Sequence, residues 1–137
     1  MKSKIFTVLT YFFIFLYIYS LGLKILNFEQ FKINLVTSPI IPNNFIIPLI
    51  YLIPALEAIT LFFLIFYNRI IITHYLNIFT LNIFSSYLIL YYFFSNSDCG
   101  CSKLFPFLSY NVHIIVNIIF IGLSIFLLFL SDSLRKK

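Results

Sequence analysis

The chain has 137 residues, 62% of them hydrophobic and only 9% charged, with a net charge of +5. A soluble domain carries roughly 25% charged residues, so this chain cannot cover itself with polar surface and reads as an integral membrane protein. Its positive residues sit at segment ends, where they orient membrane helices; they do not indicate nucleic acid, and residues 1–137 leave no room for a soluble module beside a single membrane domain.

Lys2 and Lys4 precede an apolar run over residues 5–23. The run is longer than the roughly 7–15 residues of a signal-peptide core, and no small-x-small cleavage site follows, so it reads as a first transmembrane helix. Residues 24–44 are more polar. Phe28, Phe31 and Leu35 recur there at helical spacing, with Glu29, Lys32 and Asn34 between them. That pattern predicts a short amphipathic helix, lying at the interface or folded back on the bundle. Ser38-Pro39 and Pro42-Asn43-Asn44 end it. Residues 45–67 form the second span, with Pro48 and Pro54 inside it. Asn68-Arg69 is a tight turn, residues 70–94 the third span, and residues 111–130 the fourth, before a basic tail. The predicted fold class is all-α: an integral membrane four-helix bundle with one short interfacial helix between the first two spans. Trp is absent, so Tyr must supply any interfacial belt.

Between the last two spans lies a polar stretch with the only two cysteines, Cys99 and Cys101, separated by Gly100. Gly100 gives the backbone freedom to bring the sulfurs together. Cα atoms two residues apart fall near the upper end of what a disulfide bridges, so the ring is strained. Strained, exposed disulfides have higher potentials and are labile or catalytic. The alternatives are two unrelated thiols, or half a metal site. A structural zinc site takes four ligands, and no second Cys/His cluster completes one, so no metal is assigned.

Lys and Arg counts in short loops set the orientation. Lys2, Lys4, Arg69, Arg135, Lys136 and Lys137 fall on one side, and Lys24, Lys32 and Lys103 on the other, six of the nine against three. Both termini are therefore expected in the cytoplasm. The cysteine loop then faces the periplasm of a bacterial inner membrane, where disulfides persist.

Glu57 is the only acid within an apolar span. An intramembrane carboxylate is by default a functional-site candidate; here it is a candidate proton site. The alternative is a neutral glutamic acid hydrogen-bonded between helices, holding the bundle together. Lys24, reaching inward along its stem, is the nearest cation. On the third span, His74, Asn77, Asn82, Ser85 and Ser86 share one half of the circumference; on the fourth, His113, Asn117 and Ser124 form a narrow stripe. Polar side chains in a span turn toward other helices, so these stripes are expected to mark the interior. A full span separates His74 from His113, so they do not ligate one haem iron. His113 follows the cysteines on their own side, where an imidazolium lowers a thiol pKa; a hydrogen-bonded interfacial histidine is the alternative.

The order of these features resembles the MauE branch of DoxX-like membrane proteins over about residues 5–130. Leu23-Lys24-Ile25-Leu26-Asn27-Phe28-Glu29-Gln30-Phe31 is similar to its lysine-then-Phe-x-x-Phe segment, and Ser38-Pro39 to its serine-proline turn. Pro54-Ala55-Leu56-Glu57 resembles its proline-x-x-glutamate, Cys99-Gly100-Cys101 its Cys-x-Cys loop, and His113-Ile114-Ile115-Val116-Asn117 the start of its last helix. Ser102-Lys103 departs from the Cys-Gly-Cys-Phe-Gly or Cys-x-Cys-Gly-Gly runs of that family. The resemblance implies a four-helix membrane protein that works with a thioredoxin-like partner in disulfide formation or maturation of exported proteins; the name-giving client is methylamine dehydrogenase.

Cys99 and Cys101 are thus the candidate redox pair, with His113 as thiol activator and Glu57 as proton site. No cofactor is fixed by the residues. A membrane quinone is the candidate electron acceptor, and with one cysteine pair the relay reaches it directly or through a partner. Two alternatives stand beside this reading: a non-catalytic assembly factor or scaffold, and a small proton-coupled transporter using Glu57.

Overall fold

The computed structural model describes residues 2–38, 40–94 and 110–135. All five elements are helices: α1 (Lys2–Leu26), α2 (Phe28–Val36), α3 (Asn43–Phe66), α4 (Ile71–Phe94) and α5 (Tyr110–Arg135). Four of them, all but α2, are long and apolar enough to cross a membrane. The apolar runs fix where the spans lie, but hydrogen-bonded turns continue past the last apolar residue. Hence α1 begins at Lys2 rather than residue 5, and α5 runs through Ser131-Asp132-Ser133 to Arg135. Most of the stretch expected as a basic tail is therefore helical. Cys99 and Cys101 lie outside the described residues.

The spans form a ring. α1 packs against α3 and α5, and α4 packs against the same two, so α1 and α4 are diagonal across the bundle. Lys2 Nζ reaches Ser133 Oγ at 3.4 Å, which brings the starts of α1 and the end of α5 together. At the opposite end lie the C-termini of α1 and α4 and the N-termini of α3 and α5, where the cysteine segment departs.

Asn27 sits between α1 and α2 with φ −114° and ψ 43°, and this break lets α2 fold back. Phe31 and Leu35 then bury against Ile46 and Ile50 of α3, with Phe28 and Ile53 packed beside them. Of the two placements expected for α2, folded back on the bundle is the one observed. Tyr87 of α4 donates to Ser38 Oγ at 3.2 Å and ties down the chain after α2. α3 runs through Pro48 and Pro54 without a break. Each proline lacks the N–H that serves the carbonyl four residues earlier.

The apolar core is off-centre. Phe6, Phe13, Leu64, Leu81, Leu127 and Leu130 fill the half of the bundle that holds the chain termini. Toward the cysteine segment, the smaller apolar cluster of α2 and α3 lies beside buried polar groups of α4 and α5.

Candidate functional site

On α1, Phe13, Tyr17 and Ser20 lie three or four residues apart and face inward. Lys24 follows one turn after Ser20, in the last turn of α1, where the helix dipole favours a cation. On α3 the buried line is Ile46, Ile50, Glu57, Thr60 and Leu64. The same periodicity that makes an apolar stripe thus carries one carboxylate into the bundle. Glu57 is 1% exposed.

Three polar groups close a triangle there. Lys24 Nζ lies 2.7 Å from Glu57 Oε1 and donates to Ser20 Oγ at 2.8 Å; Ser20 Oγ donates to the same Oε1 at 2.8 Å. The ammonium also sits over the ring of Phe84 on α4, 5.3 Å from its centroid, a cation–π arrangement. The pair is asymmetric: the Lys24 side chain keeps 20% exposure against 1% for Glu57. Glu57 Oε2 is buried without a hydrogen-bond partner among the described residues. One carboxylate oxygen is therefore saturated, and the other is an acceptor held open in the interior. The inward reach of Lys24 is as the sequence suggested, and it brings the ammonium to salt-bridge distance from Glu57.

Deeper in, Tyr17 reaches across the diagonal. Its hydroxyl donates to Asn77 Oδ1 at 2.7 Å, and Asn77 Nδ2 donates to Ser124 Oγ at 2.7 Å. This chain of two bonds joins α1, α4 and α5. The Thr60 and Thr80 hydroxyl oxygens meet at 2.9 Å between α3 and α4, so that one donates to the other while the second donates back to the carbonyl one turn earlier on its own helix. Tyr17, Ser20, Thr60 and Thr80 were not singled out by the sequence. A tyrosine in a membrane chain reads as interfacial belt, and a back-bonded threonine is nearly neutral to its surroundings. The available signal was their position on the same helical stripes as Glu57 and Asn77.

The Asn77–Ser124 bond also sets the register of α4 against α5. Eight residues on along α4 is Ser85, and seven back along α5 is Asn117, each about 10–12 Å along the axis. They lie level with each other, one residue from Phe84 and hence at the depth of the Lys24 ammonium. Ser85 Oγ and Asn117 Nδ2 are buried without partners among the described residues. His113, one turn further out on α5, is also buried. The interior from mid-span toward the cysteine segment thus holds an ion pair and three polar atoms without partners among the described residues.

The stripe on α5 is as expected: His113, Asn117 and Ser124 are all buried. The stripe on α4 is narrower than expected. His74, Asn77 and Ser85 are buried, but Asn82 and Ser86 face outward. Half a circumference is more than α4 presents to α3 and α5, and the two residues at its edge miss both neighbours. His74 and His113 lie at opposite ends of the bundle, four residues into α4 and α5 respectively. His74 Nε2 bonds the Asn68 carbonyl at 2.8 Å and its ring meets Phe6 edge-on, so it caps the α3–α4 turn.

A family model described as "Methylamine utilisation protein MauE" matches residues 2–130. No curated protein and no solved structure matches the chain.

Proposed function

The chain belongs to the MauE family of methylamine-utilisation membrane proteins, and we propose that it exchanges thiols and disulfides with a thioredoxin-like partner on the periplasmic side of a bacterial inner membrane. One observation carries this reading. The buried Ser20–Glu57 pair, with Glu57 Oε2 lacking a partner among the described residues, is joined through Lys24 in the last turn of α1 to the end of the bundle from which the Cys99–Cys101 segment departs. A thiol exchange moves protons, and Glu57 Oε2, linked through Lys24 to that end, is a group that can take one.

The reaction balances between the chain and its partner alone. One cysteine of the reduced pair loses its proton and attacks the partner disulfide as thiolate, forming a mixed disulfide and expelling one partner thiolate. The other cysteine resolves the mixed bond, closing Cys99–Cys101 and expelling the second. Two electrons pass to the partner, and the two protons shed by the chain's thiols end on the partner's. The reverse sequence oxidises the partner, and the two reduction potentials set the direction. Glu57 Oε2 takes the proton in transit, and His113 at the head of α5 favours the thiolate. The service is disulfide formation or maturation of exported proteins.

A second reading draws on the ion pair itself. Lys24–Glu57 joins α1 to α3 inside the bundle, which suits a scaffold that holds a partner at the membrane without chemistry. Trapping separates the two. Cys99→Ser and Cys101→Ser chains are isolated from cells under acid quench, and the reading expects one of them to carry a mixed disulfide with a soluble thioredoxin-like protein. Full biological function of the double Cys→Ser chain, with no adduct on either single variant, selects the scaffold.

A further inference from the structure

The outward face of α4 carries a seven-residue repeat. Ile72, Tyr75, Phe79, Asn82, Ser86, Ile89 and Phe93 recur at alternating steps of three and four residues, and all are exposed. At about 100° per residue they fall within an arc of about 100°, opposite the buried line of His74, Asn77, Leu81, Ser85 and Leu88. This is the spacing of a left-handed coiled-coil seam.

The seam is polar where the membrane is least so. Asn82 is the twelfth of the 24 residues of α4, and Ser86 lies one turn on. Away from the first and last two turns, no other span exposes an Asn, Ser, Thr, His or charged side chain among the described residues. Asn82 Nδ2 donates back to the Ile78 carbonyl at 2.8 Å, which leaves the amide oxygen and a second N–H without a partner among those residues. Lipid offers neither donor nor acceptor, and polar groups at this depth turn toward other helices.

We propose that this face of α4 binds α4 of a second copy of the chain, forming a parallel homodimer centred on Asn82. All copies insert with one orientation, so a two-fold axis along the membrane normal brings like depths together. Asn82 then meets Asn82, and the carboxamide, both donor and acceptor, is complementary to itself. Ser86 meets Ser86 in the same way. A single buried asparagine in such a seam fixes register and oligomer state.

The full-length chain, labelled at its C-terminus with donor or acceptor dyes, is diluted in phosphatidylcholine–phosphatidylglycerol liposomes, and energy transfer is followed. Transfer is expected to exceed random proximity and to fall on dilution as a dimer. Asn82→Leu should weaken association about tenfold, and Ile118→Ala on the lipid face of α5 should leave it unchanged. A photo-crosslinking residue at Ile89 should give a band of twice the chain's mass in cells. Transfer no greater than random, a helical Asn82→Leu chain that dimerises like wild type, or a crosslink from Ile89 to a different polypeptide would each overturn the proposal. Should Asn82→Leu lose its helicity, the Ile89 crosslink decides.

Discussion

Removing one member of the Lys24–Glu57 pair should have very different effects depending on which member goes. Lys24→Met leaves the Glu57 carboxylate buried at 1% exposure, with Ser20 as its sole partner. Stranding a buried charge in this way costs about 3–5 kcal/mol. Glu57→Gln leaves the ammonium instead, but the Lys24 side chain keeps 20% exposure and its stem can swing the charge to the interface. Glutamine also retains an acceptor for the Ser20 hydroxyl. The cost there is about 1.5–3 kcal/mol, the scale of one hydrogen bond to a charged group. The double variant strands no charge and should lie closer to wild type than Lys24→Met does, giving a coupling of about 2 kcal/mol or more. Reversible unfolding in mixed micelles, with helicity followed as denaturing detergent is added, measures all four corners of the cycle. A Lys24→Met chain within about 1 kcal/mol of wild type, or an additive cycle, would refute the picture of a desolvated pair. The same Glu57→Gln protein separates structure from chemistry. If Oε2 carries a proton during exchange, this well-folded variant reoxidises its Cys99–Cys101 pair more slowly than wild type.

The orientation is tested with a membrane-impermeant thiol reagent, which should label reduced Cys99 or Cys101 in cells whose outer membrane is permeable; labelling only after inner-membrane lysis reverses the assignment. The Cys99–Cys101 disulfide should titrate in glutathione or dithiothreitol buffers at a potential above about −300 mV, where structural disulfides begin; a lower value removes the argument from ring strain. Tyr17→Phe deletes the bond to Asn77 Oδ1 and leaves that buried acceptor empty, so stability should drop by about 1–3 kcal/mol, and an unchanged unfolding midpoint would show that the diagonal contact carries no load.

The four spans were legible because a run of about 20 apolar residues has few other uses. The α2 helix was legible because Phe28, Phe31 and Leu35 keep a helical period inside a polar segment, although only the fold shows that Ile46 and Ile50 receive them. Glu57 and Lys24 could be paired on paper, since one acid and one cation stood within reach of each other in otherwise apolar sequence. Ser20 could not, because a serine near a helix end has many ordinary roles. Tyr17 is one of ten tyrosines, and nothing local separates the one that crosses the bundle from those that face lipid. Asn82 and Ser86 show a different limit. Periodicity gives a residue's angle on its own helix, but not the angle at which a neighbour sits, and that second angle decided which polar residues of α4 point inward.

The Tyr17–Asn77–Ser124 chain has a bearing on how the protein is made. Its members lie 60 and 47 residues apart, and ribosomes add about 5–20 residues per second. Tyr17 thus waits several seconds for α4 to emerge, and Asn77 waits as long again for α5. The Lys24–Glu57 contact spans only 33 residues, so α1 and α3 can join before the rest of the bundle exists. Biogenesis therefore has a natural order: a two-helix clasp first, then the Tyr17–Asn77 bond when α4 arrives, and the Asn77–Ser124 bond only with the last span. During that interval the half-built bundle carries open hydrogen-bonding groups on α1 and α4, and whatever shelters nascent spans at the insertion site must hold those groups until α5 completes the set.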